Sequence, residues 1–240
     1  NQDTPFLAIV WFHAPHLPVV ASAEDAASYD DGENSDFERN YNGCVTALDR
    51  AVGNLRAQLR EQEIADNTVI AFCSDNGPEG GNSAPGQQGD FRGRMRSLYE
   101  GGVRVPSLIE WPAKIEAGSV SDVATCTVEY FPTILEIVGV EMPDDRPLDG
   151  ISLVPLIEGS MENRPQPLGF HIKGQAAWHD GTMKAYRKDA KSDWELYDLG
   201  ADPSEKTDLA GKKPEVMRAM VEGWIEWKAS VEASDGGADY

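Results

Sequence analysis

Two short apolar runs flanking one long amphipathic stretch, followed late in the chain by four brief β-like segments and a last long helix, predict an α/β protein in two parts. Residues 1–158 read as part of a mixed sheet with flanking helices. Residues 159–240 read as a small α+β subdomain, an antiparallel sheet of about four strands packed by the terminal helix.

The first run, Phe6-Leu-Ala-Ile-Val-Trp-Phe12, has the continuous apolar character of a buried strand. It stops in His13-Ala-Pro-His16-Leu-Pro18, where two prolines hold the turn extended and make both imidazoles project from one stiff loop. Residues 21–35 are polar and acidic and read as a surface excursion. From about Asp36 to Gln62, Val45, Leu48, Val52, Leu55 and Leu59 recur at steps of three and four, which is one apolar helical stripe. A second strand follows at 68–74, so strand, helix and strand form a parallel crossover unit.

That second strand ends abruptly in Ser74-Asp-Asn-Gly77, and the chain is organised around this point. Ligands in open α/β sheets sit just beyond the carboxyl ends of such strands. Asp75 and Asn76 would offer a carboxylate and an amide oxygen there, the ligand types of Ca²⁺ or Mg²⁺. Asn-Gly is also a hairpin signal, but the Pro-Glu-Gly-Gly-Asn-Ser-Ala-Pro-Gly that follows cannot be a second strand. A plain loop fits the spacing as well as a metal-binding one.

Beyond the Gly-rich loop, Arg92, Arg94 and Arg96 would face one side of an extended segment, either to receive an anion or to pair with carboxylates of this acidic chain. A strand is expected at Ser107–Trp111, stopped by Pro112, and a helix at Thr127–Val138 with Pro132 early and Gly139 as its stop. Segments 168–172, 176–179, 183–187 and 194–198 read as an antiparallel meander. Pro214 opens the last helix, whose Met217, Met220, Val221, Trp224 and Trp227 share the face expected to cover the sheet.

Forty-one acidic against 21 basic residues among 240 give a net charge of −20, which argues against nucleic acid as a partner. No apolar run is long enough to span a bilayer. Cys44, Cys73 and Cys126 are odd in number and widely spaced, which suggests neither a disulfide framework nor a zinc site. The sequence opens at Asn1 without initiator Met or signal peptide and is expected to be the middle of a longer protein.

Six blocks in order carry a resemblance that runs nearly the whole chain. They are Phe12-His-Ala-Pro-His-Leu-Pro18, Ala47-Leu-Asp49, Ser74-Asp-Asn-Gly-Pro78, Leu98-Tyr-Glu-Gly-Gly-Val-Arg-Val-Pro106, Asp149-Gly-Ile-Ser-Leu-Val-Pro-Leu156 and Glu195-Leu-Tyr-Asp-Leu-Gly-Ala-Asp-Pro203. Together they resemble the carboxyl-terminal half of a type I, formylglycine-dependent sulfatase (arylsulfatase) of the alkaline-phosphatase superfamily. The resemblance implies an alkaline-phosphatase-like mixed sheet and hydrolysis of aryl or carbohydrate sulfate esters. It implies Ca²⁺, with Asp75 and Asn76 at the positions of the late metal ligands. It places His16 where the family binds sulfate and protonates the leaving alcohol, a step suited to a side chain that titrates near neutrality. His13 is placed beside it, orienting the loop at the substrate. Export to the periplasm or outside the cell is implied only by analogy.

Two departures accompany the resemblance. No cysteine here stands in the Cys-x-Pro-Ser-Arg type signature that becomes formylglycine, so the nucleophile and the early metal ligands are expected in a missing amino-terminal half. Met95 stands where the family has a lysine, and methionine offers neither charge nor donor. Arg94 or Arg96 is expected to take over anion binding, though arginine scarcely gives up a proton. The chain alone is therefore expected to be catalytically silent, because Asp75 and Asn76 supply too few oxygens for calcium. A cut sheet would also expose an edge through which copies could pair. The alternatives are a phosphatase or phosphonate monoesterase of the same superfamily, a non-catalytic relative that binds sulfated glycans, and, more remotely, a zinc site from His13, His16, His171 and His179.

Overall fold

A computed structural model describes residues 4–81, 84–142 and 144–239. The chain divides into two compact units, one of residues 1–68 with 79–87 and one of residues 69–78 with 88–240.

The first unit is built on helices. α1 (Ala23–Ala27) is capped by Ser22, and α2 (Asp36–Glu61) starts at a capping box in which Ser35 and Glu38 satisfy each other's backbone N–H. The expected surface excursion thus contains a helix, and it is anchored. Asp25 is buried and receives both terminal nitrogens of Arg50, at 2.7 and 2.8 Å. The Tyr29 hydroxyl lies 2.6 Å from Thr46 Oγ1, and Ala21 N donates to Asn40 Oδ1 at 3.0 Å. The two helices approach closely at Gly43, where a Cβ would collide with Ala21 and the backbone of Ala26.

The strand expected at Phe6–Phe12 is not formed. The segment is extended and unpaired among the described residues, with Ile9 71% and Trp11 91% exposed. The apolar run was the only signal, and it reports a need for burial, not the presence of a neighbour. A strand exists only through its ladder, and none is offered here. The parallel crossover is accordingly absent among the described residues.

In the second unit, β1 (Ile70–Cys73) pairs antiparallel with β2 (Ser107–Glu110), Ile70 opposite Glu110 and Cys73 opposite Ser107. The expected parallel direction is corrected, since apolar content says nothing about direction. Between them lies a one-turn helix, α3 (Glu100–Val103), which the sequence did not announce. α4 (Tyr130–Val138) follows a 3₁₀ turn at Thr127–Glu129 and ends on Gly139 in the left-handed region (φ 68°). A short α5 (Val154–Ile157) packs on α4, and the Thr133 hydroxyl accepts from Leu153 N at 2.9 Å. The buried Arg164 meets the buried Glu129 at 2.8 Å and secures the start of α4.

The meander is as expected: β3 (Leu168–Ile172), β4 (Gln175–Asp180), β5 (Met183–Arg187) and β6 (Glu195–Asp198), each antiparallel to the next. Its two faces diverge by the strand period of two. Ala176, Trp178, Ala185 and Leu196 face α6 (Pro214–Asp235) and pack with Met220 and Trp224. Ala177, Tyr186 and Tyr197 face the other way and pack with Leu98 and Leu199. On that second face Lys184 Nζ is buried between Glu100 Oε1 at 2.8 Å and Glu205 Oε1 at 2.9 Å. Burial pushes the Glu205 carboxyl up, against the opposing pull of Lys184.

Asp25 gives a pH test. The hydrogen bonds from Arg50, then from the Ser22 hydroxyl, hold its carboxyl down at about 2, from an ordinary 3.8. A depressed carboxylate stabilises the fold above its unfolded value and loses that contribution as pH falls toward the folded one. The urea midpoint of Asp25→Asn is expected below that of the wild type at about pH 7. The gap is expected to hold down to about pH 4 and to close between about pH 4 and 2.

Candidate functional site

β1 ends where its ladder does, with Ser74 N donating to Pro106 O at 3.3 Å. The Ser74 hydroxyl then donates to Asn76 O at 3.0 Å, folding the next residues into a tight turn. Asp75 is exposed and Asn76 half-buried. The Asn76 amide nitrogen donates to Asp75 Oδ1 at 3.2 Å and to Gly77 O at 3.3 Å. Asp75 Oδ2 and Asn76 Oδ1 lie outside these bonds. Both are hard oxygen donors of the type that suits Ca²⁺, and they could supply two of the roughly six to eight oxygens such an ion takes. Among the described residues no group of three or more His, Cys, Asp or Glu side chains is arranged to hold a metal ion, and this includes the four histidines.

The turn is seated on a second loop through backbone bonds. Gly77 N donates to Gly102 O at 2.9 Å, and Met95 N donates to Pro78 O at 3.1 Å. A Cβ on Gly77 would fall inside the van der Waals shell of Gly101 O, and one on Gly101 would do the same to Gly93 O. The Glu-Gly-Gly block is thus glycine because two backbones touch there.

The loop that carries the arginines is not extended, and the single row expected of them is corrected. Gly93 (φ 80°) and Arg96 (φ 71°) both take left-handed conformations, which turn successive side chains apart. Arg92 lies 3.9 Å over the ring of Tyr99, with Nη1 donating to the Tyr197 hydroxyl at 2.8 Å and to Glu205 O at 3.2 Å. Its role is to tie the loop to the meander. Arg94, half-buried, donates to Gln88 Oε1 at 2.8 Å, and Arg96 is exposed. Arg94, Met95 and Arg96 therefore sit on the segment whose backbone bonds to Pro78, immediately after the Asp75–Asn76 turn.

Gln175 holds the other side of this loop. Its side-chain nitrogen donates to Arg96 O at 2.7 Å, and its oxygen accepts from Leu98 N at 3.2 Å. Tyr99 stacks on Tyr186 with centroids 3.8 Å apart and donates its hydroxyl to Glu195 Oε2 at 2.7 Å. Glu195 also accepts from Tyr197, so both phenols are driven upward by burial and by this carboxylate. Gln175, Lys184 and Glu205 were not legible as site residues. Their bonds to the loop at 96–100 span 77 or more positions in sequence, and no local pattern marks such pairs.

His13 and His16 belong to the first unit, whereas Asp75, Asn76, Arg94 and Arg96 belong to the second. The histidine loop turns back on itself, with His16 N donating to His13 O at 2.9 Å, so the extended turn is corrected too. Both rings are exposed, 5.3 Å apart between centroids. His16 Nδ1 is 2.7 Å from Leu17 O. A carbonyl can only accept, so Nδ1 carries the hydrogen and Nε2 is the nitrogen left for proton exchange.

The chain shares an alkaline-phosphatase-like fold with solved sulfatases. Another solved structure that it resembles is Ps i-CgsB, crystallised in complex with k-i-k-neocarrahexaose: TM-score 0.81 and 30% identity, over 90% of this chain and 48% of that one. The phosphonate monoester hydrolase of Agrobacterium radiobacter shares the fold at 23% identity and TM-score 0.57, over 80% of this chain and 41% of its own. Residues 1–140 match the family described as Sulfatase, and residues 86–226 match N-sulphoglucosamine sulphohydrolase, C-terminal. The steryl-sulfatase of Rattus norvegicus is 33% identical over 177 residues, which is 71% of this chain and 30% of the relative. The chain belongs to the sulfatase family. It spans less than half the length of these relatives.

The glycine seat gives a stability test. Gly77→Ala is expected to cost about 1–3 kcal/mol by forcing two backbones apart. Gly53→Ala, inside α2 with open space around it, is expected to be neutral or to gain about 0.5–1 kcal/mol. Urea unfolding of the two variants should separate them in opposite directions.

Proposed function

We propose that the chain is the carboxyl-terminal half of a calcium-dependent sulfuric ester hydrolase. The observation that carries this reading is the backbone seat that sets the Asp75–Asn76 turn against the segment of Arg94 and Arg96, in a chain of the sulfatase family. Asp75 and Asn76 would supply two oxygens to the ion, which would neutralise charge on the sulfate. Arg94 or Arg96, which the loop turns apart, would supply positive charge to the sulfate oxygens. His16, protonated at Nε2, gives its proton to the leaving oxygen as the ester bond breaks, and His13 supports the ring beside it. The nucleophile and the other metal ligands come from a preceding half, in a whole protein where residues 1–158 belong to the main α/β body and 159–240 form the small subdomain. Aryl or carbohydrate sulfates are the substrate class. The bound hexaose of the i-CgsB neighbour supports the carbohydrate arm.

A second reading has its own observation. By the resemblance Met95 stands at the place of the family's lysine, and its backbone N–H donates to Pro78 O. Loss of that cation suits a relative that binds sulfated glycans without turning them over. The phosphonate monoester hydrolase neighbour keeps phosphorus esters as a third chemistry for the same fold.

The test is turnover of a chromogenic aryl sulfate with calcium, by this chain and by a version extended upstream. Only the extended version is expected to be active, and His16→Ala in it is expected to lower kcat by roughly 10²–10⁴. Sustained sulfate release by the chain alone would refute the half-site reading. Hydrolysis of an aryl phosphonate without hydrolysis of the sulfate would shift the assignment to phosphorus esters.

A further inference from the structure

We infer that Gln175 and Lys184, both on the meander, are positioning residues for the loop 92–102 and, through its glycine seat, for the Asp75–Asn76 turn. The mechanical part stands on the geometry alone; its bearing on activity rests on the sulfatase reading above.

Gln175 acts where the loop is most strained. Arg96 holds φ 71°, a conformation that costs an L residue about 1–2 kcal/mol and persists only if its surroundings impose it. Just after it, the Gln175 amide supplies both a donor and an acceptor to the peptide groups on either side of Ser97, Arg96 O at 2.7 Å and Leu98 N at 3.2 Å. It works as one rung of a strand ladder. Its own oxygen is fixed by the Tyr186 hydroxyl at 3.2 Å, so the rung is rigid.

Lys184 acts further along the loop. Its ammonium draws in Glu100 and Glu205, and Glu205 Oε2 also accepts from Glu100 N at 2.7 Å. Glu100 is therefore gripped by backbone and side chain at once. The next two residues are Gly101 and Gly102, whose carbonyls form the floor beneath Gly77. The path continues at close quarters, since a Cβ on Gly102 would run into Ser97 O.

The direction of the grip separates positioning from simple stabilisation of the sheet. The sheet's other face carries its own core against α6, built from Trp178, Leu196, Met220 and Trp224. Both partners of Lys184 lie outside the strands, at positions 100 and 205. The costly burial of a lysine is spent on attaching the loop, not on closing the meander.

The experiment compares wild type with Gln175→Leu and with the charge-free triple variant Lys184→Met, Glu100→Gln, Glu205→Gln, so that no unpaired charge is left buried. Amide hydrogen exchange on this chain is expected to speed up at least tenfold at Gly77, Gly101 and Leu98 in Gln175→Leu. Exchange at Ala185 and Leu196, in the meander, should stay within twofold. In the upstream-extended protein kcat/KM for an aryl sulfate is expected to fall at least tenfold with a thermal midpoint within a few degrees of wild type. Unchanged exchange at Gly77 and Gly101, or acceleration shared equally by the meander, would overturn the inference. If the extended protein has no sulfatase activity while the selective acceleration appears, the positioning stands and the functional reading falls. Selective acceleration with unchanged kcat/KM would overturn the claim that the placement matters to catalysis.

Discussion

A single ammonium group decides how the second unit is put together. Lys184 has no solvent to fall back on, and neither do the two carboxylates it joins. Removing one member of such a set strands the others in a medium where a lone charge is costly, by about 3–5 kcal/mol in comparable buried pairs. The three residues come from β5, from the first turn of α3 and from the loop after β6. Each is held in place by the others. The aromatic layer of Tyr99, Tyr186 and Tyr197, with Arg92 across it, then excludes water from the same surface. The meander is thereby a two-sided object, apolar against α6 and ionic and aromatic against the loop.

How much of this was legible follows from the range of each interaction. α2 could be read because its stripe repeats within one turn, whereas the Ser35–Glu38 capping box at its start went unread. The meander could be read because each strand is bounded by turn chemistry, such as Lys173-Gly174 and Asp180-Gly181. The Asp75–Asn76 turn stood out because an apolar run stops there without a following strand. What failed was everything that depends on a remote partner. Residues 6–12 carry the composition of a strand but have no ladder among the described residues. The direction of β1 was set by β2, far along the chain at Ser107–Glu110, and no feature of β1 itself encodes it.

The candidate site divides along the same line. Asp75, Asn76, Arg94 and Arg96 could be singled out by residue type, but the expectation that the arginines form one face overlooked Gly93 and the left-handed Arg96. Arg92 proved to be a structural tie to Tyr197. Its sequence spacing was indistinguishable from that of its neighbours, and only the fold separates them.

The glycine seat has a consequence for how this loop can vary over evolutionary time. At Gly77, Gly101 and Gly102 the contact is peptide against peptide, so those positions admit no side chain. At Met95 the anchoring bond uses the backbone N–H, which every residue but proline possesses. The frame is therefore indifferent to what position 95 displays. A side chain of different chemistry at position 95 would leave that anchoring bond in place, so what the position displays is separate from how the loop is seated.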